Sequence, residues 1–405
     1  MRITRRFCAG VMSLSAAFGV VGGGAAVAAS VPGVSDTEIR LGTLQPLSGP
    51  ASAYGVLGYA FEAYFAKVND EGGVNGRKIR VLLRDDALSP PKAVEQTRKL
   101  VEQDDIFALF GQSGAPTGMA IQKYLHVKGI PQLFVMSGSH VFQEPKSAPL
   151  SMPGLPTYYG EARLYAKAIL QANPNAKIGV FYQNDDFGKD YLRGVQIGLG
   201  DRADKMIVAK ESYELTDPTV DSKILALKAS GADTLIMGSY SKQTSQALQK
   251  MGVMGWKPKI YLSYIAASVN PTFKNAGLEN AKGVVTAAVL KDPTDARWKD
   301  DPETLAWKAW MDKYYPRGDQ TNGSNVFGYV IGDLIRHIVE KTGKDITQER
   351  LMATARQVRD YRPPMMLPDV SLTITPDNYS MYDRMQLQEF DGTVWRAIGK
   401  PISTH

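Results

Sequence analysis

The chain has 405 residues, 47 Lys and Arg against 41 Asp and Glu for a formal charge of +6, and one cysteine, Cys8. That length exceeds one comfortable hydrophobic core and suits two lobes of ordinary size. Charge so nearly balanced gives no ground for nucleic acid or an anionic membrane as partner.

Residues 1–29 read as a signal peptide. Arg2, Arg5 and Arg6 form a basic head, Phe7 to Val27 is apolar and small, and Ala26-Val27-Ala28 has the small-x-small pattern of a cleavage site. Cleavage is expected at Ala28/Ala29 or Ala29/Ser30, by a Sec or a twin-arginine route. Cys8 precedes most of the apolar stretch, so it is not placed as a lipid acceptor. Removing the segment takes away three arginines and the only cysteine, leaving a charge of about +3. Disulfides, zinc–thiolate sites and thiol catalysis are thereby excluded together.

Strands and helices then alternate. Ile39 to Leu44 is a strand, and the loop Leu44 to Gly55 leads into an amphipathic run, Gly55 to Asn69. A loop at the carboxyl end of such a strand is where α/β sheets bind ligands. Here it carries Ser, Gly and Pro, with Tyr54 adding an apolar wall and a polar tip. It has no catalytic pair, phosphate loop or metal spacing, which points to holding a small molecule rather than converting it. Strand Ile79 to Leu83, the turn Asp85-Asp86, and a helix capped by Ser89 and opened by Pro90-Pro91 follow. Next come strand Ile106 to Phe110, helix Thr117 to Lys128 and strand Gln132 to Met136. A second series starts past Pro153: helix Gly160 to Gln171, strand Lys177 to Tyr182, helix Lys189 to Gly200, strand Met206 to Lys210, helix Val220 to Ala229, strand Thr234 to Met237, helix Gln243 to Met251 and strand Lys259 to Leu262. Helices between successive strands imply parallel sheets covered on both faces. Beyond them, Gly283 to Val289, Leu372 to Thr375, Arg384 to Phe390 and Val394 to Ile398 are strand-like, the last two joined by the turn Asp391-Gly392, while Thr304 to Tyr314 and Phe327 to Lys341 are helical.

Three stretches carry a specific resemblance: Gly42 to Gly55 with its Pro-Leu-Ser-Gly-Pro; Val68 to Ile79 with the tight turn Asn75-Gly76; and Asp85-Asp86 followed by Ser89-Pro90 and Ala93-Val94. Thr117, Tyr182 to Tyr191 and Gly238-Ser239-Tyr240 agree more weakly. Together the chain resembles the periplasmic solute-binding components of branched-chain amino acid ABC transporters, the type I periplasmic binding fold. The resemblance implies an α/β protein of two doubly wound parallel-sheet lobes joined by a three-segment hinge. Lobe one would be 30–153 plus 284–386 and lobe two 154–283 plus 387–405, with Leu150 to Gly154 as the first crossover. It also implies a periplasmic location, a monomer that closes on a small-molecule ligand and docks on the membrane permease of an ABC importer, and no cofactor. The same clamp can instead be a ligand-sensing module for amides or organic acids that reports to a separate receptor.

Mapped residue by residue, the resemblance departs at the ligand. The serine that holds a ligand carboxylate in amino acid binders falls on Gly114, leaving the backbone N–H groups of Gly114 and Ala115 as anion donors, with Ser137 and Ser139 beside them. The lobe-two tyrosine falls on Phe187, and the acid that pairs the ligand ammonium falls on Tyr264. An unpaired buried ammonium costs several kcal/mol. Tyr54, Tyr158, Phe187, Tyr240 and Tyr264 would instead make an aromatic-walled pocket with hydroxyls at its rim. Branched-chain or aromatic amino acids, aromatic or aliphatic carboxylates, and small amides all remain open as ligands.

Each residue also has a plainer reading. Tyr54 and Tyr240 can pack loops, Phe187 can staple a helix start, and Ser137 and Ser139 can cap. Asp85-Asp86 reads as a turn rather than a metal pair, and of the four histidines only His140 follows the suspected pocket loop. Hydrolysis would need a nucleophile with its base, opposed carboxylates or a metal site. Without Gly-x-Ser-x-Gly or His-Glu-x-x-His, the chain reads as no enzyme.

Overall fold

The structure is a computed structural model and describes residues 31–404. The expected signal peptide, its cleavage site and Cys8 lie outside the described residues. Among those described, no helix is long and apolar enough to cross a membrane.

The first sheet holds β1 (Glu38–Gln45), β2 (Lys78–Asp85), β3 (Ala108–Phe110), β4 (Gln132–Val135) and β5 (Ser151–Pro153), in the order β2-β1-β3-β4-β5, all parallel. The register of β1 on β2 runs from Glu38↔Lys78 to Gln45↔Asp85. β3 and β4 are buried along their whole length, as strands covered on both faces must be. The turn before β2 takes Asn75 and Gly76 at φ 51° and 86°, the left-handed pair that Asn-Gly favours.

The second sheet has eight strands: β6 (Ile178–Gln183), β7 (Ile207–Tyr213), β8 (Thr234–Gly238), β9 (Lys259–Leu262), β10 (Val285–Ala288), β11 (Arg384–Phe390), β12 (Trp395–Ala397) and β13 (Ile402–Ser403). Its order is β12-β11-β10-β9-β8-β6-β7, with β13 also on β11. β6 to β10 are parallel, and β11, β12 and β13 return antiparallel. Of the stretch 284–386, Val285–Ala288 is therefore a strand of the second sheet. The helices Pro302–Tyr314 and Gly323–Thr342 instead pack on the helix Val56–Asp70 that follows β1. There the Tyr64 hydroxyl donates to Asp333 at 2.7 Å, and Trp307 and Trp310 are buried.

Differences from the sequence reading have local causes. The helix expected from Lys189 starts at Asp186 because the Asp185 carboxylate accepts the Gly188 N–H at 3.1 Å. The helix expected from Phe327 starts at Gly323 because Asn322 caps it, accepting from Ser324 N. Leu372 to Thr375 is not a strand: Leu372 makes only isolated bridges to Tyr361 and Tyr382, and Thr375 one to Asn378. The helix Gln348–Ala355, capped by Thr347, has no counterpart in that reading. Leu150 to Gly154, the expected first crossover, includes β5 at the edge of the first sheet, and the next element, the helix Tyr158–Ala172, packs on the helix Asp186–Leu199 that follows β6.

Candidate ligand-binding site

The carboxyl end of β1 feeds a loop whose shape is set by a carboxylate from the next strand. Asp85 Oδ1 accepts the backbone N–H of Leu47 at 2.9 Å and of Ser48 at 3.2 Å, Oδ2 accepts the Ser48 hydroxyl at 2.6 Å, and Lys92 closes the arrangement at 2.7 Å. Asp86, fully buried behind it, accepts Leu88 N–H at 2.9 Å, and burial pushes its pKa up to about 6. The pair is thus a loop anchor, and no cluster suited to a metal occurs among the described residues. The anchored loop ends in the short 3₁₀ turn Ser52–Tyr54.

Tyr54 reaches from this loop to the second sheet. Its hydroxyl accepts the backbone N–H of Ser241 at 3.1 Å, lies 3.0 Å from Ser241 Oγ and donates to the Ile265 carbonyl at 3.3 Å. Ser241 opens the helix Ser241–Val253 that follows β8, and Ile265 follows β9, so all three partners sit at carboxyl ends of parallel strands. The Tyr54 ring packs 5.0 Å from Tyr240, Tyr240 stacks 5.2 Å on Phe187, and Phe187 meets Tyr158 edge-on at 4.8 Å. Tyr264 lies 6.4 Å from Tyr158 and 6.1 Å from Phe327. Burial raises the pKa of the Tyr54, Tyr158, Tyr240 and Tyr264 phenols, so each stays a neutral donor at neutral pH.

These rings wall a cavity of about 140 Å³, similar in size to apolar cavities of ~150 Å³ that admit a benzene-sized molecule. Of the residues expected at the site, the structure brings Tyr54, Gly114, Tyr158, Tyr240 and Tyr264 to its lining. It places Ala115, Ser137, Ser139 and Phe187 outside that lining, each nearly or wholly buried. Phe187 backs Tyr240 and Tyr158 rather than facing the cavity, and the Ser139 N–H donates to Ser137 Oγ at 3.1 Å within their own loop. The Gly114 N–H donates to the Met136 carbonyl at 3.3 Å. The donor left at that loop is Ala115, whose N–H begins the helix Ala115–Val127 and by position has no intrahelical acceptor. His140 is held by Asp190, with Nδ1 2.8 Å from Oδ1 and its backbone N–H 3.0 Å from Oδ2, and it stacks on Tyr159. Tyr264 spends its hydroxyl on the Pro156 carbonyl at 3.0 Å, and its backbone N–H donates to buried Glu161 at 2.8 Å.

The longest continuous stretch of lining that sequence reasoning missed is the end and tail of β10, Thr286 to Asp292, joined by residues such as Leu88, Ile265 and Phe327 from other elements. Small and branched residues running off the carboxyl end of a parallel strand were the signal that could have found it. Gly323 and Ser324, at the start of a twenty-residue helix, also line the cavity. Apolar walls, neutral hydroxyls and few charges make a site for retaining an organic molecule, and nothing in it supplies a nucleophile with a base.

Such a cleft between two α/β sheets defines a ligand-binding clamp. Residues 38–393 match the family model of the periplasmic binding proteins, and the chain belongs to that family. It is 25% identical over 240 residues to Leu/Ile/Val-binding protein homolog 7 of Brucella abortus, a match covering 55% of this chain and 58% of that relative. In fold it is similar to a branched chain amino acid ABC transporter structure from Thermus thermophilus with bound valine, with a TM-score of 0.80 and 14% identity over 92% of this chain and 97% of that one. It is also similar to a fatty acid ABC transporter substrate-binding protein from Thermomonospora curvata, with a TM-score of 0.74 and 20% identity over 92% and 94%.

Proposed function

We propose that this chain is the extracytoplasmic solute-binding component of an ABC importer. It is exported by its leader, acts as a monomer, closes two lobes on a small hydrophobic amino acid or an aromatic or aliphatic carboxylate, and delivers it to a membrane permease. The observation that carries this reading is the cavity itself: walled by Tyr54, Tyr158, Tyr240 and Tyr264, more apolar than polar in the rest of its lining, and framed by loops from both sheets. A ligand touching both sides favours the closed form and shifts the population towards it. Domain closure about a hinge is the motion by which periplasmic binding proteins surround their ligands. The names of relatives, which include valine-bound and fatty acid-binding proteins, support a hydrophobic ligand with an acidic head.

The test is a thermal-shift screen of refolded, leader-free protein. One panel holds leucine, valine, isoleucine and phenylalanine, and the other benzoate-like, phenylpropanoate-like and short alkanoate acids. A true ligand at a hundred times its dissociation constant adds about 2.7 kcal/mol, a rise of a few degrees. Silence across both panels would overturn the reading. Tyr240→Ala removes the ring that bridges Tyr54 and Phe187 and is expected to weaken every ligand by about ten- to a hundredfold in titration calorimetry. Unchanged affinity would mean that the ligand sits elsewhere.

A further inference from the structure

We propose that the second sheet carries a binding groove of its own, away from the cleft, for a single-chain anionic amphiphile of the fatty carboxylate type. The groove is a site additional to solute capture in the cleft and does not depend on it.

The groove forms where the helix Tyr158–Ala172 stops filling the space above the sheet. Tyr165 fills it, with its ring 5.5 Å from that of Tyr261. Ala168 and Ala172 follow on the same face of the helix, one and two turns later, and are too small to do so. On the other side the chain leaving β12 continues along β11 as residues 398–403 and makes the second wall. Between the walls lies a cavity of about 910 Å³, within the ~300–1,000 Å³ range of small-molecule sites. Its floor is Tyr261 of β9, Val285 of β10 and Leu387 of β11. Since β9 and β11 flank β10, the floor spans two strand spacings, about 10 Å.

The lining has the chemistry of an amphiphile site. Ile398 and Ile402 on the strap are each 42% exposed, beside the apolar floor. Tyr261 is only 5% exposed, yet its hydroxyl has no hydrogen-bond partner among the described residues, which leaves a donor within the groove. Three lining residues are basic, Lys259, Arg384 and Lys400, and none is acidic. Lys259 is committed to Glu389 at 2.6 Å and to the Gly283 carbonyl at 3.1 Å. Arg384 has only its exposed neighbour Asp383, at 3.9 Å, and Lys400 has no acidic partner among the described residues. An acyl chain laid across the floor covers the apolar surface, and its carboxylate meets Arg384 and Lys400 in charge-assisted hydrogen bonds. A peptide strand fits less well. β11 is already paired on both edges, with β10 on one and β12 and β13 on the other, so the floor offers no backbone groups to answer a second chain.

The test photolabels the leader-free protein with a diazirine-bearing decanoate, kept monomeric, and reads the labelled peptides by mass spectrometry. Label is expected on 165–172 and 398–403. Ala172→Trp puts an indole into the groove from an exposed helix end and should abolish that label while leaving the thermal shifts of cleft ligands unchanged. Lys400→Glu should weaken decanoate at the groove about tenfold in calorimetric titration. Label confined to the cleft overturns the proposal and leaves solute capture intact. So does groove label that survives both substitutions, or decanol competing as well as decanoate. Binding to phosphatidylglycerol vesicles without labelling by monomeric decanoate would make this face a membrane contact and equally overturn it.

Discussion

Glu161→Ala is expected to destabilise the fold by about 3–5 kcal/mol, lowering the melting temperature by on the order of 5–10 °C. Glu161 is fully buried in the helix Tyr158–Ala172. It accepts the Tyr264 N–H at 2.8 Å and the Tyr191 hydroxyl, and its own carboxyl proton is shared with the Tyr165 hydroxyl. Tyr165 in turn donates to the Leu262 carbonyl at 2.7 Å and accepts from Ala287 N–H at 2.9 Å, while Tyr191 meets Ser263 at 2.6 Å. One carboxyl therefore joins two helices to the ends of β9 and β10, directly behind the cavity wall. Alanine leaves these donors unanswered and a hole beside them, and a loss below about 1 kcal/mol in urea unfolding would refute the account.

Burial raises the Glu161 pKa well above the usual carboxyl value of 4.5, with the bonds from Tyr165 and the Tyr264 N–H only partly offsetting it. The folded protein thus holds a proton that the unfolded chain releases. Its contribution to stability is complete below pH 4.5 and is lost as pH rises towards the folded value. Glu161→Gln keeps the shape and removes the titration. Its stability should fall less steeply than wild type above pH 4.5, by as much as about 1.4 kcal/mol per pH unit. Parallel pH profiles would mean that the carboxyl is ionised in the fold.

Tyr54→Phe is expected to weaken every ligand by about ten- to a hundredfold, chiefly through faster dissociation. The phenol joins the loop after β1 to Ser241 and Ile265 of the second sheet. Removing the hydroxyl keeps the ring against Tyr240 but takes away about 1–3 kcal/mol from the joined arrangement, leaving the Ser241 N–H without its acceptor. Ligands that need the joined form bind less tightly by the fraction lost. Stopped-flow dissociation rates equal to wild type would show that the phenol does not hold the clamp shut.

The order of strands and helices up to Leu262 was legible because each period change is flanked by a turn or cap signal, as at Ser89-Pro90 and Asn75-Gly76. Past that point the chain returns antiparallel through β11 and β12, and alternation no longer marks which sheet a strand joins. Tyr54, Tyr158, Tyr240 and Tyr264 were readable as lining of the cavity because they sit on or beside loops at strand ends. The tail of β10 was not, since the loss of Lys291 to Asp301 and Glu303 has no trace in spacing. Phe187 illustrates the converse: correspondence in order set it at the ligand, whereas side-chain direction sets it behind Tyr240.

Gly138 has a consequence for anyone remodelling this pocket. A Cβ at that position would lie 2.0 Å from the Pro156 carbonyl oxygen, and Tyr158 N–H already donates to the Gly138 carbonyl at 3.0 Å. Main chain meets main chain there with no side chain to trim or repack. A mutant library aimed at new ligands can draw its diversity from side chains that line the cavity, whereas diversity at Gly138 would be read out as lost protein rather than as altered specificity.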